Sequence, residues 1–401
     1  MSYLFQYLPP FAADYSGVAS ALHDLGGLVV IHDASGCTGS FTGYDEPRWF
    51  SGKSSVYCSG LREFDAIAGN DDRLLGNIRS AVDARDFNFA ALIGSPVPML
   101  VGFDFDGFAR MGEAELHLPF FGFPMTGFAR YERGLSAAFL ALAERFVEDP
   151  RCLPVGANIL GVSPLDNFDA KAVEIIAAFL EKNGFPVVSV WGQGDEWRSI
   201  PKAARAKINF VAAASALPLA EYMENRWGIP YVAGLPLGAK TEAELENRMR
   251  HRLDARSRLP RRGDQGAATI FLIGEQFRMN ALRAELLERH PLLEAMVGSF
   301  FAWDLSFADE GDCFISNEAE AIRHLAQGDF DLVVGDPLLR ELMPDSSEKH
   351  FVAEAHYAIS ARLYREHVLS RRFGSALADF LDEIAERAFI ARACRSERLS
   401  A

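Results

Sequence analysis

Two cysteines in glycine-rich stretches are the residues of this sequence best suited to metal chemistry. Cys37 lies in the run HDASGCTG, residues 32–39, and Cys58 opens the run CSG. Thiolates bind iron, and glycines such as Gly36 and Gly60 let backbone N–H groups approach a thiolate or sulfide closely. Cys37 and Cys58 are therefore candidate ligands of an iron–sulfur cluster.

The spacing of the two cysteines leaves a second interpretation open. A gap of 21 residues is not a standard spacing of metal ligands, so both could be reduced thiols in glycine-rich turns. The other cysteines, Cys152, Cys313 and Cys394, have no paired spacing and are interpreted as core or surface thiols. An odd, widely spread set of five favours free thiols over a disulfide framework.

The elements around the cysteines read as buried parallel strands. Residues 28–31 and 90–93 are continuous apolar runs that end at polar or glycine residues, and 55–57 is a shorter candidate strand. Ligands of open parallel sheets bind beyond the carboxyl ends of the strands. If these strands are neighbours, Cys37, Cys58 and Ser95 lie near one crevice.

Strand and helix signals continue to alternate along the chain, which predicts an α/β protein with three Rossmann-like domains. Each is expected to contain a mainly parallel sheet of four to five strands flanked by helices. The predicted domains are 1–150, 151–262 and 263–401, with a charged linker at 256–266 and C-terminal helices packing back on the other domains. Thr241 and Glu244 have the spacing of a capping box that opens a polar helix.

Composition and charge exclude several classes of function. Lys and Arg number 40 against 55 Asp and Glu, a net charge of −15 that argues against nucleic-acid binding. No apolar run is long enough for a membrane span, and the N-terminus has no secretory pattern, so we expect a cytoplasmic protein. Neither a Walker-type nor a dinucleotide-binding glycine motif is found.

Three stretches of the chain resemble one family. Residues 32–37, 58–69 and 96–102 are similar to the nitrogenase component 1 oxidoreductases, especially to their short bacterial members. That family includes the nitrogenase molybdenum–iron protein subunits, the dark-operative protochlorophyllide reductase and a nickel-tetrapyrrole reductase. Residues 228–231 and 331–335 follow in the family's order. The resemblance implies the fold predicted above.

The resemblance also implies a cluster. Cys37 matches a family cysteine that ligates a cluster bridging two subunits, and Cys58 matches a position that carries cysteine in some subunits. The family's other ligands would fall near Phe11 and near Ser95 or Pro96, so a smaller [4Fe-4S] cluster is favoured, with Gly36 and Ser95 as further contacts. Two thiolates cannot complete a four-iron cluster, and a homodimer, or a heterodimer with a related subunit, would supply the rest.

No cofactor of the iron–molybdenum type is expected. The family's cofactor cysteine would fall near Ser215, and neither His350 nor His356 is a convincing counterpart of its cofactor histidine; both are interpreted as ordinary surface or core residues. The resemblance therefore implies reduction of an organic or tetrapyrrole-like substrate between the three domains. Electrons would come from an ATP-dependent nitrogenase reductase-like iron protein. The alternatives are a non-catalytic scaffold or carrier of the same fold and a fold relic that binds an organic ligand without metal.

The polar residues near the cysteines have an ordinary interpretation as helix caps or surface pairs, which applies to Asp33 and Asp65. The run of residues 45–49, Asp-Glu-Pro-Arg-Trp, is different because it concentrates charge and an aromatic ring in a glycine-flanked loop. We expect this loop to form a subunit interface or a wall of the substrate site.

Overall fold

Three parallel sheets organise the molecule, as the α/β prediction expects. The computed structural model describes residues 5–48, 51–150, 153–194, 196–251, 267–328, 330–343, 350–359 and 372–400. The sheets have four, four and five strands, and every strand pair in them is parallel. The strands of each sheet fall within one of the three predicted ranges, whereas the exact domain boundaries, including the linker in the undescribed stretch 252–266, stay a prediction.

The first sheet has the strand order β2-β1-β3-β4. Its elements are α1 (Asp14–Leu22), β1 (Leu28–Ile31), α2 (Gly36–Ser40), β2 (Ser55–Cys58), α3 (Glu63–Ala68), α4 (Asp71–Ala84), β3 (Ala90–Ile93), α5 (Pro96–Leu100), α6 (Phe105–Leu116), β4 (Phe120–Phe123) and α7 (Tyr131–Phe146). Strands β1 and β3 are buried on both faces, which explains their continuous apolar sequence.

The second sheet has the order β6-β5-β7-β8. Its elements are β5 (Ala157–Val162), α8 (Ala170–Lys182), β6 (Val187–Gly192), β7 (Ile208–Val211), α9 (Leu217–Trp227), β8 (Tyr231–Ala233) and α10 (Ala239–His251). Helix α8 begins after Asp169, whose carboxylate accepts a hydrogen bond from the backbone N–H of Ala172 at 3.0 Å. The predicted strand–helix–strand unit is therefore present.

The third sheet has the order β11-β10-β9-β12-β13. Its elements are β9 (Ala268–Ile273), α11 (Gln276–Arg289), β10 (Leu293–Ser299), β11 (Cys313–Phe314), α12 (Glu318–Gln327), β12 (Leu332–Gly335), β13 (Phe351–Ala353) and α13 (Ser375–Ser400). The apolar stripe of α13, including Leu377, Leu381 and Ile384, is buried in the core beside this sheet.

The predicted capping box at Thr241 is wrong. Helix α10 begins two residues earlier, at Ala239, so Thr241 lies inside its first turn. The Thr241 hydroxyl and backbone N–H instead donate to the carboxylate of Glu285, at 2.8 and 2.7 Å. This contact joins α10 to α11. The backbone N–H of Thr241, which a capping box would pair with the side chain of Glu244, donates to the buried carboxylate of Glu285 instead.

One hydrophobic core contains side chains next to all three sheets. Its tightest contact joins α1 to α7, where a Cβ at Gly17 would lie 1.9 Å from the carbonyl oxygen of Tyr131 and a Cβ at Gly134 would lie 1.8 Å from that of Asp14. The two glycines allow the helix backbones to touch. Within the described ranges, no helix combines the length and the apolar composition that a bilayer span requires.

The strand order reverses once in each sheet. The reversal lies between β1 and β3, between β5 and β7, and between β9 and β12. At such a switch point the two flanking loops leave in opposite directions and open a crevice, which is where ligands of doubly wound sheets bind. The chemistry of the chain is therefore expected in the loops that follow these six strands.

Candidate functional site

The two candidate ligand cysteines lie at the carboxyl ends of β1 and β2, neighbouring strands of the first sheet, and only Cys37 follows a strand of the switch point. Ile31, the last residue of β1, pairs in register with Cys58, the last residue of β2, and Cys37 lies in α2 directly after β1. Both sulfurs contact Asp33. The Cys58 thiol donates to its carbonyl oxygen at 3.3 Å, and the Cys37 thiol is hydrogen-bonded to its carboxylate.

The loops that carry the cysteines are fixed by local hydrogen bonds. The Asp33 carboxylate accepts from the backbone N–H groups of Ser35, at 2.9 Å, and Thr38, at 3.2 Å. The Ser59 hydroxyl oxygen lies 2.9 Å from Nδ1 of His32 and accepts from the Asp33 backbone at 3.0 Å. Hydrogen bonds of this kind hold metal ligands in position before a metal binds.

The backbone beside the cysteines leaves open space. Ser35 has a φ of 141°, which a residue with a side chain rarely adopts, and Gly60 has a φ of 65°. No atom lies within 4 Å of the position that a Cβ would take at Gly36 or Gly60. The Gly60 N–H also lies 3.4 Å from Sγ of Cys58, as a donor to a ligating thiolate would. The donor set and the space therefore fit an iron–sulfur cluster.

The Cys37 thiol is half-buried and protonated in the chain by itself. Burial, and then the nearby Asp33, raise its pKa to about 11. Tyr15 is hydrogen-bonded to Cys37, and burial together with Cys37 raises the pKa of this phenol above its usual range. A bound metal cation reverses this preference, because a coordinating thiol is deprotonated.

Ser95 contacts the end of β1, the strand that precedes the Cys37 loop. Its side chain is fully buried, and its hydroxyl donates to the carbonyl oxygen of His32 at 2.8 Å. This bond holds the end of β1 against the end of β3. A direct contact between Ser95 and a cofactor stays a prediction.

Exposed apolar side chains occur on β2, on α3 and at the end of α5. Leu100 and Ile67 are 79% and 86% exposed, on α5 and α3 respectively. We call the following set the apolar rim: Tyr57, Phe64, Ile67, Leu100 and Val101, all of them exposed. Ile67 and Val101 also line a groove of about 310 Å³ that His32 and Gly60 share. Exposed apolar side chains on neighbouring elements are candidates for a protein interface.

The loop predicted to form a subunit interface or a wall of the substrate site has Asp45, Glu46 and Arg48 buried inside the chain, and its predicted role stays a prediction. Glu46 and Arg48 are buried, and the Arg48 guanidinium donates to Glu46 at 2.8 Å, to Asp24 at 3.0 Å and to the carbonyl oxygen of Gly192 at 3.0 Å. The loop therefore connects the first sheet to the second inside the chain. Trp49 lies outside the described residues.

A second polar cluster lies inside the molecule where loops of all three sheets meet. We call it the buried polar centre; its members are Tyr131, Glu132, Asp166, Ser215, Glu275 and His356, all of them buried. Tyr131 donates a short hydrogen bond to Asp166, which also accepts from Ser215 at 3.5 Å. Nε2 of His356 lies 3.9 Å from Oδ1 of Asp166.

Burial dominates the electrostatics of this centre. It raises the pKa of Asp166 well above its usual range, with the Glu275 charge as the next cause, and it raises the pKa of Glu275 as well. Burial raises the pKa of Glu132 to about 7. It lowers the pKa of His356 well below its usual value, and the charge of Arg278 adds to this effect. Burial therefore disfavours the charged form of each of these acids and of the imidazole.

Sequence reasoning considered Ser215 and His356 only as unconvincing cofactor positions and missed the acids beside them. The available signal was topological. Asp166 and Glu275 follow β5 and β9, the strands at the switch points of the second and third sheets. His356 is a core histidine that stacks on Phe301, with ring centroids 3.9 Å apart. The interpretation of this histidine as an ordinary core residue agrees with its burial.

The remaining thiols lie away from both clusters. Cys313 is half-buried in β11 and Cys394 is exposed near the end of α13; both are free, and Cys152 falls outside the described residues. Across the ranges that the structure describes, no three His, Cys, Asp or Glu side chains are grouped so that one chain could hold a metal ion with them.

Comparison with known structures shows the fold. The chain superposes on two structures titled nitrogenase Cp1. At pH 5 the TM-score is 0.65 with 13% identity, over 97% of this chain and 90% of the other. At pH 6.5 the TM-score is 0.55 with 16% identity, over 75% of this chain and 64% of the other.

Sequence comparison points the same way. Over 209 residues the chain is 25% identical to the nitrogenase iron-molybdenum cofactor biosynthesis protein NifE of Clostridium pasteurianum, a match that covers 51% of this chain. The chain spans about half of that relative, 45% of its length. The profile of the nitrogenase component 1 type oxidoreductases matches residues 13–267, more than half of the sequence. The chain therefore belongs to the nitrogenase component 1 type oxidoreductase family.

Proposed function

We propose that this chain is the catalytic component of a nitrogenase-like reductase. It binds a [4Fe-4S] cluster through Cys37 and Cys58 at a subunit interface and reduces a small organic or tetrapyrrole-like substrate held between the three sheets. The observation that carries the proposal is that both thiols contact Asp33 at the ends of two neighbouring strands, with the exposed side chains of the apolar rim on the adjacent elements.

The ligand count favours a shared cluster. One chain contributes two thiolates at this site, and a four-iron cluster takes four. A two-fold axis beside the first sheet brings two equivalent pairs together, and association buries the apolar rim in the same step. A related subunit with its own cysteines would serve equally well, so the proposal covers both a homodimer and a heterodimer.

The residues around the thiols have separate tasks. Asp33 and Ser59 orient the two loops, and Gly60 donates an N–H to the Cys58 sulfur. The rim, once covered by the partner, excludes water from the site and lowers the local dielectric constant. When bound, a four-iron cluster supplies single electrons at low potential.

Protons and electrons would reach the substrate from different directions. Protons would come from the buried polar centre, where burial raises the pKa of Glu132 to about 7 and also raises the pKa values of Asp166 and Glu275. Electrons would be delivered by an ATP-dependent iron protein, a nitrogenase reductase-like partner that contains the nucleotide site. This division agrees with a sequence that contains no phosphate-binding loop.

A second candidate function is a scaffold or carrier that holds a metallocluster or tetrapyrrole for transfer. The observation in its favour is the printed role of the relative from Clostridium pasteurianum, a cofactor biosynthesis protein. Both candidates use the cysteine pair. They differ in what leaves the protein: a reductase passes electrons to its substrate and keeps its cluster, whereas a carrier hands over the bound group intact. A cytoplasmic location is a further prediction of both.

Iron and acid-labile sulfide analysis after anaerobic reconstitution tests the cluster. Wild type is expected to bind two irons and two sulfides per chain. Cys37→Ala and Cys58→Ala should each lose at least nine-tenths of the iron. Cys313→Ala is the matched control, because it removes a half-buried thiol of the third sheet. This variant should retain all of its iron. Iron retained in both site variants contradicts the proposal.

Reduction separates the two candidates. The wild-type cluster is reduced with a low-potential chemical reductant and mixed with apo-ferredoxin as a cluster acceptor. A reductase keeps its iron and reoxidises only when substrate is added. A scaffold transfers iron and sulfide to the acceptor within the same incubation, which would replace the first candidate by the second.

A further inference from the structure

An open cleft separates the loops that follow β4 from those that follow β10. Its volume is about 850 Å³, within the range of small-molecule sites. One wall comes from residues 128–133 at the start of α7, and the other from residues 301–305, 312 and 314 of the third sheet. The cleft therefore lies directly outside the buried polar centre, with Glu132 on its surface.

Aromatic rings line the cleft. Phe128 is 78% exposed, Phe314 is also exposed, and Phe301 and Trp303 complete the lining. Rings that contact solvent at the mouth of a cleft offer flat apolar faces to a planar ligand. The walls therefore favour an aromatic or conjugated body.

Two guanidinium groups lie on the same wall. Arg130 is fixed, since it donates to the carbonyl oxygen of Ser316 at 2.8 Å and lies over the rings of Phe11 and Phe314, 5.9 and 5.8 Å from their centroids. Arg133 is exposed, and within the described parts of the chain it has no ion pair with an acid. Both positive charges are available to an anion.

The acids of the cleft do not cancel these charges. Asp312 is already held by Arg283, at 2.7 and 2.8 Å. Glu132 is only 8% exposed, and its Oε2 has no hydrogen-bond partner in the described structure. Burial raises its pKa to about 7, so Glu132 is largely an uncharged donor at pH 6 and about half ionised at pH 7.

The groups that face Glu132 come from every neighbouring element. Arg130 and Tyr131 flank it on its own helix, Glu275 faces it from the start of α11, and Asp166 faces it from the loop after β5. One positive charge thus opposes two buried acids, whose pKa values burial raises. Ionisation of Glu132 would place a new negative charge beside the two arginines.

We propose that this cleft binds a planar organic anion, with Arg130 and Arg133 pairing with its anionic groups and the Glu132 carboxyl group as a hydrogen-bond partner beside them. The inference rests on the proposed function in one respect, the use of this cleft as the substrate site. Binding itself requires only the folded chain.

Two fluorescent dyes test the site directly. 8-Anilinonaphthalene-1-sulfonate is a planar aromatic anion, and N-phenyl-1-naphthylamine is the same molecule without the sulfonate. Fluorescence titration of the full chain at pH 6 is expected to give an affinity for the anion at least ten-fold above that for the neutral dye. At pH 8 the affinity for the anion should fall by about ten-fold, because only about a tenth of Glu132 is then protonated. The neutral dye should be unaffected.

Variants assign the effect to residues. Arg133→Gln should weaken binding of the anion by about ten-fold without changing binding of the neutral dye, whereas Arg79→Gln, an exposed arginine on α4, should change neither. Glu132→Gln should retain the affinity of pH 6 and lose the decline at pH 8. If circular dichroism shows that Glu132→Gln does not fold, the dye titration of Arg133→Gln tests the inference, because Arg133 is exposed.

Equal affinity for the two dyes, or an affinity for the anion that Arg133→Gln leaves intact, overturns the inference. Because the titration needs no iron, its result is separate from the cluster analysis. A chain that binds the anionic dye as predicted but no iron would lose the proposed function and retain the cleft site. A chain that binds iron through Cys37 and Cys58 but shows no preference for the anionic dye would retain the proposed function and lose the cleft site.

Discussion

The switch point of the first sheet and those of the second and third sheets occupy equivalent topological positions but have opposite surroundings. Around Cys37 and Cys58 the backbone is glycine-rich, the space beside it is open, and the neighbouring apolar side chains are exposed. Around Asp166 and Glu275 the polar groups are buried and contact one another. The first region is constructed to be completed by another molecule, and the second is completed within the chain.

The two regions also differ in what controls the protonation of their ionisable side chains. In the first, a thiol gives up its proton when a metal cation arrives from outside. In the second, burial raises the pKa values of the acids, and a hydroxyl and backbone N–H groups donate to Asp166 and Glu275. Under the proposed function, electron uptake belongs to the region that is open to a partner, and proton storage to the region that is closed to it.

The largest expected effect is on association at the apolar rim. Leu100→Asp would bury a carboxylate without a partner in the subunit interface, at a cost of about 4 kcal/mol, roughly a thousand-fold in the dimer dissociation constant. Sedimentation equilibrium of the reconstituted protein measures it. Leu292→Asp, at another exposed leucine, is the control and should leave the dimer intact. An unchanged dimer in Leu100→Asp places the interface elsewhere.

The next effect is a pH dependence that arises in the buried polar centre. The pKa of Glu132 in the folded chain, about 7, lies above its usual 4.5, so the folded chain binds this proton more tightly than the unfolded chain. The free energy of unfolding should fall by about 3 kcal/mol as the pH rises from 4.5 to 7, and then level off. Urea denaturation at pH 5 and pH 8 should show that Glu132→Gln has lost this component. An identical slope in wild type and variant contradicts the assignment.

Removing the same hydroxyl group from both regions compares them directly. Tyr131→Phe deletes the buried donor to Asp166 and should lower the free energy of unfolding by about 2 kcal/mol. Tyr57→Phe removes a hydroxyl from the half-exposed rim and should change stability by less than about 0.5 kcal/mol. Chemical denaturation of the two variants in parallel is the measurement. Equal losses would mean that the regions do not differ as described.

The smallest effect concerns Ser95. Ser95→Ala removes one buried hydrogen bond to the carbonyl oxygen of His32 and should cost about 1 kcal/mol. Because this hydroxyl contacts the backbone and both cysteine ligands remain, we expect the iron content after reconstitution to stay within a tenth of wild type. A loss of iron as large as in Cys37→Ala would instead make Ser95 a ligand.

Sequence patterns predicted the sheets well because buried parallel strands leave a simple signal. The runs at 28–31, 90–93 and 268–273 are apolar on both faces, and their ends carry the glycine and polar residues that place Cys37 and Ser95 near one crevice. Periodicity also gave α8 with its Asp169 cap. These features depend on neighbours in sequence, which is why they can be recognised without a structure.

Long-range polar contacts were not predictable in the same way. The buried ion pairs of Arg48 were not predicted, because its contacts, Asp24 and the Gly192 carbonyl, are distant in sequence. Thr241 was read as a cap because Glu285 is likewise distant. The buried polar centre draws members from all three sheets, so only the strand orders, which fix the switch points, could have singled out Asp166 and Glu275.

The central claim is that two chains share one cluster through Cys37 and Cys58. Native mass spectrometry of the anaerobically reconstituted protein tests it most directly, because it reports chain number and iron–sulfur content of the same particle. We predict a particle of two chains that contains one [4Fe-4S] unit, absent from the Cys37→Ala variant. A complete four-iron cluster on a single chain, or a dimer of the wild type that assembles without iron or sulfide under reconstituting conditions, would contradict the account.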